Sequence, residues 1–193
     1  MDKLKILIAE DEYLVLMGIK SNLKELGHEI IAEAMNGKEA IKLAKEKKPD
    51  LIIADINMPK IDGIEAVKEI NKDQVIPSII VSGYSDDELV NKASEVGVFA
   101  YLVKPVGVEE LKTAIIIAMN KFEEFKKVNE DLQNQKKALE NRKYIERAKG
   151  LLMDNLGLSE PEAMKKLQNK SQEENIKLID VAKNIIKMND YLK

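Results

Sequence analysis

Five polar residues stand directly behind short apolar runs, where the chain is expected to place reactive groups. They are Glu10, Asp11, Asp55, Ser82 and Lys104. Three carboxylates in one place repel each other unless a cation joins them, and oxygen ligands of this kind suit Mg²⁺. A lysine and a hydroxyl beside such a metal can stabilise a phosphoryl group while a carboxylate attacks it. These residue types predict a phosphoryl-transfer site, although each residue alone is more often a helix cap or a surface charge.

The elements that must bring these residues together are strands that alternate with helices. We predict strands over residues 5–9, 29–34, 51–54, 78–81 and 99–103, and helices over residues 13–26, 38–47, 63–71 and 86–96. This alternation indicates an α/β fold, a doubly wound five-stranded parallel sheet with helices on both faces. Ligands bind outside the carboxyl ends of such strands, so the five polar residues are expected at one sheet edge. No glycine-rich phosphate loop is present, and a nucleotide is therefore not the expected substrate.

Two finer expectations concern the first helix and the turn behind it. The helical spacing of its apolar residues predicts an inner face made of Leu14, Met17, Leu23 and Leu26. The single histidine, His28, follows Gly27 in a turn far from the acidic edge. We expect it on the surface and assign it no role.

Residues 1–120 resemble the receiver domain of two-component response regulators, and the strand-end residues carry the resemblance. It implies a sheet order of 2-1-3-4-5, a phosphoryl group taken by Asp55 from a sensor histidine kinase, and no enzymatic activity beyond slow self-dephosphorylation. The implied Mg²⁺ ligands are Glu10, Asp11, Asp55 and the backbone carbonyl of Asn57. Ser82, Lys104 and Tyr101 match the positions that stabilise the phosphate and switch the surface. Tyr101 alone would instead suggest a half-buried strand aromatic.

A long helix is predicted behind this domain. Residues 108–149 contain neither glycine nor proline, which is typical of a coiled coil or a linker helix. One heptad register places Ala118, Phe125, Leu132 and Leu139 at d, and Ile115, Phe122, Asn129, Lys136 and Lys143 at a. The polar a positions predict a weak parallel coiled coil that joins two chains. A single solvated spacer helix is the alternative.

The last fifty residues predict a small all-α module of three helices. Ser159 to Glu162 form a capping box with proline in the first turn, and Leu178 to Met188 form a third helix. The third helix carries the apolar residues Leu178, Val181, Ala182, Ile185 and Met188. Such a module buries little apolar surface by itself, and we expect it to pack against the coil or against a second chain.

Residues 142–188 resemble an ANTAR domain. The motif is Arg147-Ala148-Lys149-Gly150-Leu151-Leu152-Met153, followed by Gly157-Leu158-Ser159, Glu162-Ala163, Leu167, Asn175, Leu178 and Val181-Ala182. The resemblance implies binding of paired RNA stem-loops in nascent transcripts, which prevents transcription termination. Side chains read RNA best at unpaired loops, since the A-form major groove is too narrow. The candidate RNA-binding residues are Lys149, Gly150, Ser159, Lys165, Lys166, Lys170, Asn175, Lys177 and Lys183.

The overall reading is therefore a phosphorylation-activated regulator with three segments. These are a receiver at 1–120, a coiled-coil linker at 121–141 and an ANTAR module at 142–193. Phosphorylation is expected to produce a homodimer through the receiver and the coil, which holds two modules for tandem RNA hairpins and reaches RNA polymerase only indirectly. A DNA-binding or protein-docking regulator is the alternative.

The amino-acid composition agrees with this interpretation and excludes some classes of protein. The 193 residues include no cysteine, which excludes disulfides and thiolate metal sites. Residues 1–140 hold 20 Lys and Arg against 26 Asp and Glu, whereas residues 141–193 hold 11 against 8. A mildly basic tail is compatible with nucleic-acid binding, but a solvated surface explains it equally well. No signal-peptide pattern and no membrane span are seen, so we expect a cytoplasmic protein.

Overall fold

The structure is a computed structural model that describes residues 3–83 and 96–191, with the backbone alone at Asp190. The helix predicted over 86–96 lies outside the described residues except for its last residue. Contacts divide the chain into two compact units, residues 1–126 and 127–193, and each is described by itself. Among the described helices, none combines the length and the apolar character that a membrane span needs.

The first unit is built on a five-stranded parallel sheet in the order β2-β1-β3-β4-β5, which confirms the predicted fold class. The strands are β1 (Lys5–Ala9), β2 (Glu29–Ala34), β3 (Leu51–Asp55), β4 (Ser78–Ser82) and β5 (Val98–Val103). The central strands β1, β3 and β4 are almost wholly buried, as expected for parallel strands covered on both faces.

Helices cover the two faces of this sheet and create two separate cores. Their bounds are α1 (Tyr13–Glu25), α2 (Gly37–Lys47), α3 (Gly63–Asn71) and the first turns of α4 (Val108–Leu156). On one face, α1 and α4 pack around Leu16, Ile53 and Ile115; on the other, α2 and α3 pack around Ile52 and Val67. Helices on opposite faces leave the carboxyl ends of the strands open between them.

Two predictions in the first unit are wrong. The buried face of α1 consists of Leu16, Ile19 and Leu23, whereas Leu14 is 84% exposed and Met17 is also exposed. Both faces carry apolar residues at helical spacing, so periodicity could not choose between them. His28 is 6% exposed rather than on the surface. Its Nδ1 accepts a hydrogen bond from the Leu4 backbone N–H at 3.3 Å, which ties the turn to β1.

The second unit consists of the C-terminal part of α4, α5 (Glu160–Glu174) and α6 (Leu178–Tyr191). Gly157 has a φ of 65° at the end of α4, a left-handed conformation that glycine adopts readily. The predicted capping box forms, since the Glu162 carboxylate accepts the Ser159 backbone N–H at 2.9 Å. The core holds Ala148, Leu167, Val181, Ala182 and Ile186. Met188, an apolar residue of α6, is exposed.

The middle of α4 is largely exposed to solvent, although the Phe125 ring packs edge-to-face on Phe99 of β5, with ring centroids 6.0 Å apart. Every residue from 123 to 140 is exposed, including Phe125, Leu132 and Leu139 of the predicted seam. Ile115 and Ala118, the first seam residues, are fully buried in the core of the first unit. A coil between chains can therefore begin only after these two positions, later than the heptad register implied.

Candidate functional site

The pairing register of the strands brings residues of the predicted phosphoryl site to one edge of the sheet. Asp55 is the last residue of β3, and its neighbours across the sheet fix what surrounds it. Ala54 pairs with Ala9, so Glu10 follows β1 directly beside Asp55. On the other side Asp55 pairs with Val81, which sets Ser82 at the same edge. The parallel register thus brings residues from three strands to one place.

Three carboxylates and one ammonium group meet at this edge. Oxygens of Glu10, Asp11 and Asp55 all lie within 4.8 Å of one another. The Lys104 Nζ lies 2.9 Å from Glu10 Oε2 and donates to Asp55 Oδ2 at 3.0 Å. Glu12 Oε1 is 3.5 Å from the same nitrogen. Sequence reasoning did not assign Glu12, although its place in the Glu10–Glu12 acidic run was a visible signal.

Burial sets the electrostatics of the cluster. Glu10 is 1% exposed and Asp55 is 3% exposed. Burial raises the pKa of Glu10, and the Asp55 charge adds to this, while Lys104 and the Glu12 N–H act in the opposite direction. Burial alone would lower the pKa of Lys104, but its hydrogen bonds to Glu10 and Asp55 raise that pKa above the ordinary 10.5. Lys104 therefore stays charged and partly neutralises the cluster.

The cluster has the features of a divalent-cation site. One lysine offsets only part of the charge of three carboxylates, and Asp55 Oδ1 is buried with no hydrogen-bond partner among the described residues. A buried carboxylate oxygen without a donor is costly unless something binds it. Hard oxygen ligands in this number fit Mg²⁺, which usually keeps several of its water ligands. Asn57 lies two residues behind Asp55, in the bend after β3.

The remaining predicted residues of this site occupy the strands next to β3. Ser82 ends β4 and is buried, and its carbonyl accepts the Lys104 backbone N–H at 2.8 Å. That bond anchors the residue whose side chain reaches Asp55. Tyr101 lies in β5, half-buried against the core that faces α2 and α3. The Lys104–Pro105 peptide bond is cis.

In the second unit, most of the predicted RNA-binding residues are exposed. They are Ser159, Lys165, Lys166, Lys170, Asn175, Lys177 and Lys183, with Gly150 half-buried. Two of them also shape the fold, because Ser159 caps α5 and Asn175 ends it with a φ of 51°. The Lys170 Nζ lies 3.0 Å from the Glu174 carboxylate.

Lys149 differs from the other predicted RNA-binding residues. It is 7% exposed, and its Nζ lies 2.7 Å from Glu160 and 2.9 Å from Glu146. Hydrogen bonds to Glu160 and Glu146 raise the pKa of Lys149. This geometry favours a structural role, in which Lys149 ties the start of α5 to α4.

Comparison with known proteins assigns both units. The family model described as a response regulator receiver domain matches residues 6–116, and the ANTAR domain model matches residues 133–186. The transcriptional regulatory protein PdtaR of Mycobacterium tuberculosis is 39% identical over 182 residues, which cover 94% of this chain and 89% of the relative. The similarity to PdtaR therefore extends through both matched domains.

Solved structures resemble the first unit. A LuxR-family DNA-binding response regulator of Staphylococcus aureus has a TM-score of 0.56 and 34% identity, over 60% of this chain and 98% of that chain. The CheX–CheY–BeF₃–Mg²⁺ complex of Borrelia burgdorferi has a TM-score of 0.56 and 26% identity, over 58% of this chain and 86% of that chain. Both matches span about three fifths of the chain.

Proposed function

Since this chain belongs to the response regulators that combine a receiver domain with an ANTAR domain, we propose that it is a phosphorylation-activated RNA-binding antiterminator. The observation that carries the proposal is an acidic cluster in which Asp55 Oδ1 is buried without a hydrogen-bond partner among the described residues, in a chain whose second unit matches an ANTAR domain. The first feature suits a phosphoryl acceptor. The second suits recognition of RNA stem-loops, so that phosphorylation of the first unit would control RNA binding by the second.

In the proposed chemistry, a carboxylate oxygen of Asp55 attacks the phosphohistidine of a sensor kinase. The phosphorus–nitrogen bond breaks as the phosphorus–oxygen bond forms, and the electron pair returns to the imidazole. Glu10, Asp11, Asp55 and the Asn57 carbonyl would hold Mg²⁺, which when bound neutralises charge on the phosphoryl oxygens. Lys104 stabilises the same oxygens because its Nζ already lies 3.0 Å from Asp55. The protein is a phosphoryl acceptor rather than an enzyme, and water removes the group slowly.

Activation then passes from the phosphoryl group to the surface. Ser82 and Tyr101 shift toward it and bias a two-state surface toward receiver pairing. Pairing brings two α4 helices together over residues 121–141, between a receiver at 1–120 and an ANTAR module at 142–193. The exposed apolar residues Phe125, Leu132 and Leu139 supply that contact.

Two tethered modules would bind tandem hairpins more tightly than one, because the second contact becomes intramolecular. The phosphate contacts come from the exposed lysines of α5 and α6, with Ser159, Asn175 and Gly150 beside them. Lys149 is left out of that set, since two carboxylates engage its Nζ. The proposed site of action is the nascent transcript in the cytoplasm, with RNA polymerase affected only through the RNA.

The test is RNA binding by the full chain to a tandem-hairpin RNA, with and without a small phosphodonor and Mg²⁺. Light scattering follows the oligomeric state in the same samples. We expect the phosphodonor to convert monomer to dimer and to tighten binding to two hairpins but not to one. Omission of Mg²⁺ should abolish both effects.

Matched controls separate the steps of the mechanism. Asp55→Asn keeps the size of the side chain but cannot form the acyl phosphate, so it should bind RNA as the unphosphorylated protein does. Asp73→Asn changes an exposed carboxylate that pairs with Lys45, and it should respond normally. Equal binding to duplex DNA of the same length, or no RNA binding in any state, would contradict the proposal.

A further inference from the structure

A groove in the second unit lies between the C-terminal part of α4 and α6. It has a volume of about 490 Å³. Its lining residues are Tyr144, Arg147, Lys183, Ile186, Lys187 and Tyr191. Apart from Ile186, which is buried in the core, all of them are exposed. The groove therefore combines an apolar floor with a polar, solvent-facing rim.

The rim has an unusual composition. Its described lining contains three basic side chains and two phenol rings. The Lys183 Nζ lies 5.3 Å from the centre of the Tyr144 ring, so a face of that ring already attracts a cation. Aromatic faces beside basic groups are how proteins hold unpaired nucleotides, with the base on the ring and the phosphate on the cation.

We propose that this groove holds one unpaired nucleotide of an RNA loop, an inference that rests on the proposed RNA-binding function. The base stacks on Tyr144 with Tyr191 as the opposite wall, and the adjoining phosphates contact Lys183 and Lys187. The groove is thus the element that distinguishes a loop from a plain stem. Arg147, Lys187 and Tyr191, which were not among the RNA-binding residues predicted from the sequence, join the RNA-contacting set.

Charge explains why RNA suits the groove better than another macromolecule. An RNA strand carries a phosphate at every nucleotide, and the groove meets it with three basic side chains, Arg147, Lys183 and Lys187. A peptide could also pack against the two tyrosine rings, but only an acidic peptide would complement the basic side chains of the rim. A protein partner is therefore an outcome that the experiment must detect.

The experiment combines a substitution in the protein with an abasic change in the RNA. Tyr144→Leu removes the ring and Tyr144→Phe keeps it, in the full chain with phosphodonor and Mg²⁺. Each is titrated with a tandem-hairpin RNA and with the same RNA whose loop nucleotides are abasic. We expect Tyr144→Leu to weaken binding to the intact RNA about tenfold and to leave binding to the abasic RNA unchanged. Tyr144→Phe should behave as the unsubstituted chain.

A matched pair of lysine changes tests the phosphate contact. Lys183→Gln should weaken RNA binding and lower the dependence of that binding on salt concentration. Lys166→Gln on α5 should leave unchanged the difference in affinity between the intact RNA and the abasic RNA. Light scattering and thermal unfolding confirm that each variant is folded and dimerises.

The outcomes separate this inference from the function on which it rests. If the unsubstituted chain binds intact RNA tightly and Tyr144→Leu binds it equally well, the groove assignment is overturned and the RNA-binding function stands. Loss of dimerisation in Tyr144→Leu, with normal RNA binding per module, would assign the groove to a protein contact instead and overturn the inference. If the unsubstituted chain binds neither RNA, the proposed function fails, and the groove assignment fails with it.

Discussion

Among single residues, Gly63 packs closely on the backbone of Asp55, the proposed phosphoryl acceptor. Its N–H donates to the Ile56 carbonyl at 3.1 Å, and a Cβ at this position would lie 2.0 Å from the Asp55 carbonyl oxygen. Gly63→Ala must therefore displace either α3 or the end of β3. We expect it to lower the free energy of unfolding by about 2 kcal/mol and to slow phosphorylation of Asp55. Denaturant unfolding and phosphodonor labelling measure the two effects.

Gly18→Ala is the matched control. Gly18 lies inside α1, and a Cβ there would meet nothing within 4 Å. Alanine favours a helix interior over glycine, so this change should raise the free energy of unfolding by up to about 1 kcal/mol. If both substitutions shifted stability in the same direction, the steric argument for Gly63 would be wrong.

His28 gives a prediction about pH. Burial lowers its pKa below the ordinary value of 6.5. As the pH falls through 6.5, His28 becomes protonated in the unfolded chain but stays neutral in the folded chain, so the free energy of unfolding falls. This loss begins near pH 6.5 and ends at the lowered pKa; above pH 6.5 the histidine contributes no slope. We expect the unfolding free energy to fall by at most about 1.4 kcal/mol per pH unit in that window.

The check is His28→Asn, whose side-chain oxygen can still accept the Leu4 N–H. Unfolding free energies of both chains are measured from pH 5 to pH 9. Contributions from carboxylates such as Glu10 are common to both chains and cancel in the difference. The difference should be constant above pH 7 and should change below 6.5. Parallel curves over the whole range would mean that the buried histidine does not govern this slope.

At the scale of elements, the exposed stretch of α4 needs a partner. Helices with few tertiary contacts are marginal in water, and every residue from 127 to 140 is exposed. We expect Leu132→Glu, at a d position of the seam, to abolish phosphodonor-dependent dimerisation by placing a charge in the contact. Light scattering with phosphodonor and Mg²⁺ measures this.

Asn134→Glu is the control for that substitution. It adds the same charge two residues away, on the opposite face of the same heptad, and it should dimerise normally. If Leu132→Glu also dimerised normally, the receiver face alone would account for dimer formation, and the coil would be a spacer.

The same elements show what the sequence could predict. Strands β1, β3 and β4 were predictable because each is a short apolar run with a polar residue at its carboxyl end, namely Glu10, Asp55 and Ser82. The inner face of α1 was not predictable, because Leu14 and Leu16 offer two apolar stripes and only the packed sheet selects one. Burial of Lys149 was equally hidden, since it depends on Glu160 from another helix. Register and pairing between distant elements are tertiary facts that local patterns do not carry.

At the scale of the whole molecule, the proposed phosphoryl site and the ANTAR domain lie in different compact units. In the proposed mechanism, a change at Asp55 acts on RNA affinity through the number of modules held together and not through the contacts of each module. The binding constant for one hairpin should therefore be independent of phosphorylation. Any gain belongs to the effective concentration of the second module at the second hairpin.

The effective concentration of the second module depends on the distance between the two hairpins, whereas the contacts of one module with one hairpin do not. If the single-stranded spacer between two hairpins is lengthened beyond its best value, affinity of the phosphorylated dimer should fall about threefold for each doubling of the spacer. Leu132→Glu, which holds one module per particle, should bind every spacer equally and as weakly as the intact chain binds one hairpin. Titration of a spacer series with both proteins, with phosphodonor and Mg²⁺ throughout, measures the two curves. A dimer that ignores spacer length would show that phosphorylation changes the module itself, because only a change in its own contacts could then tighten binding.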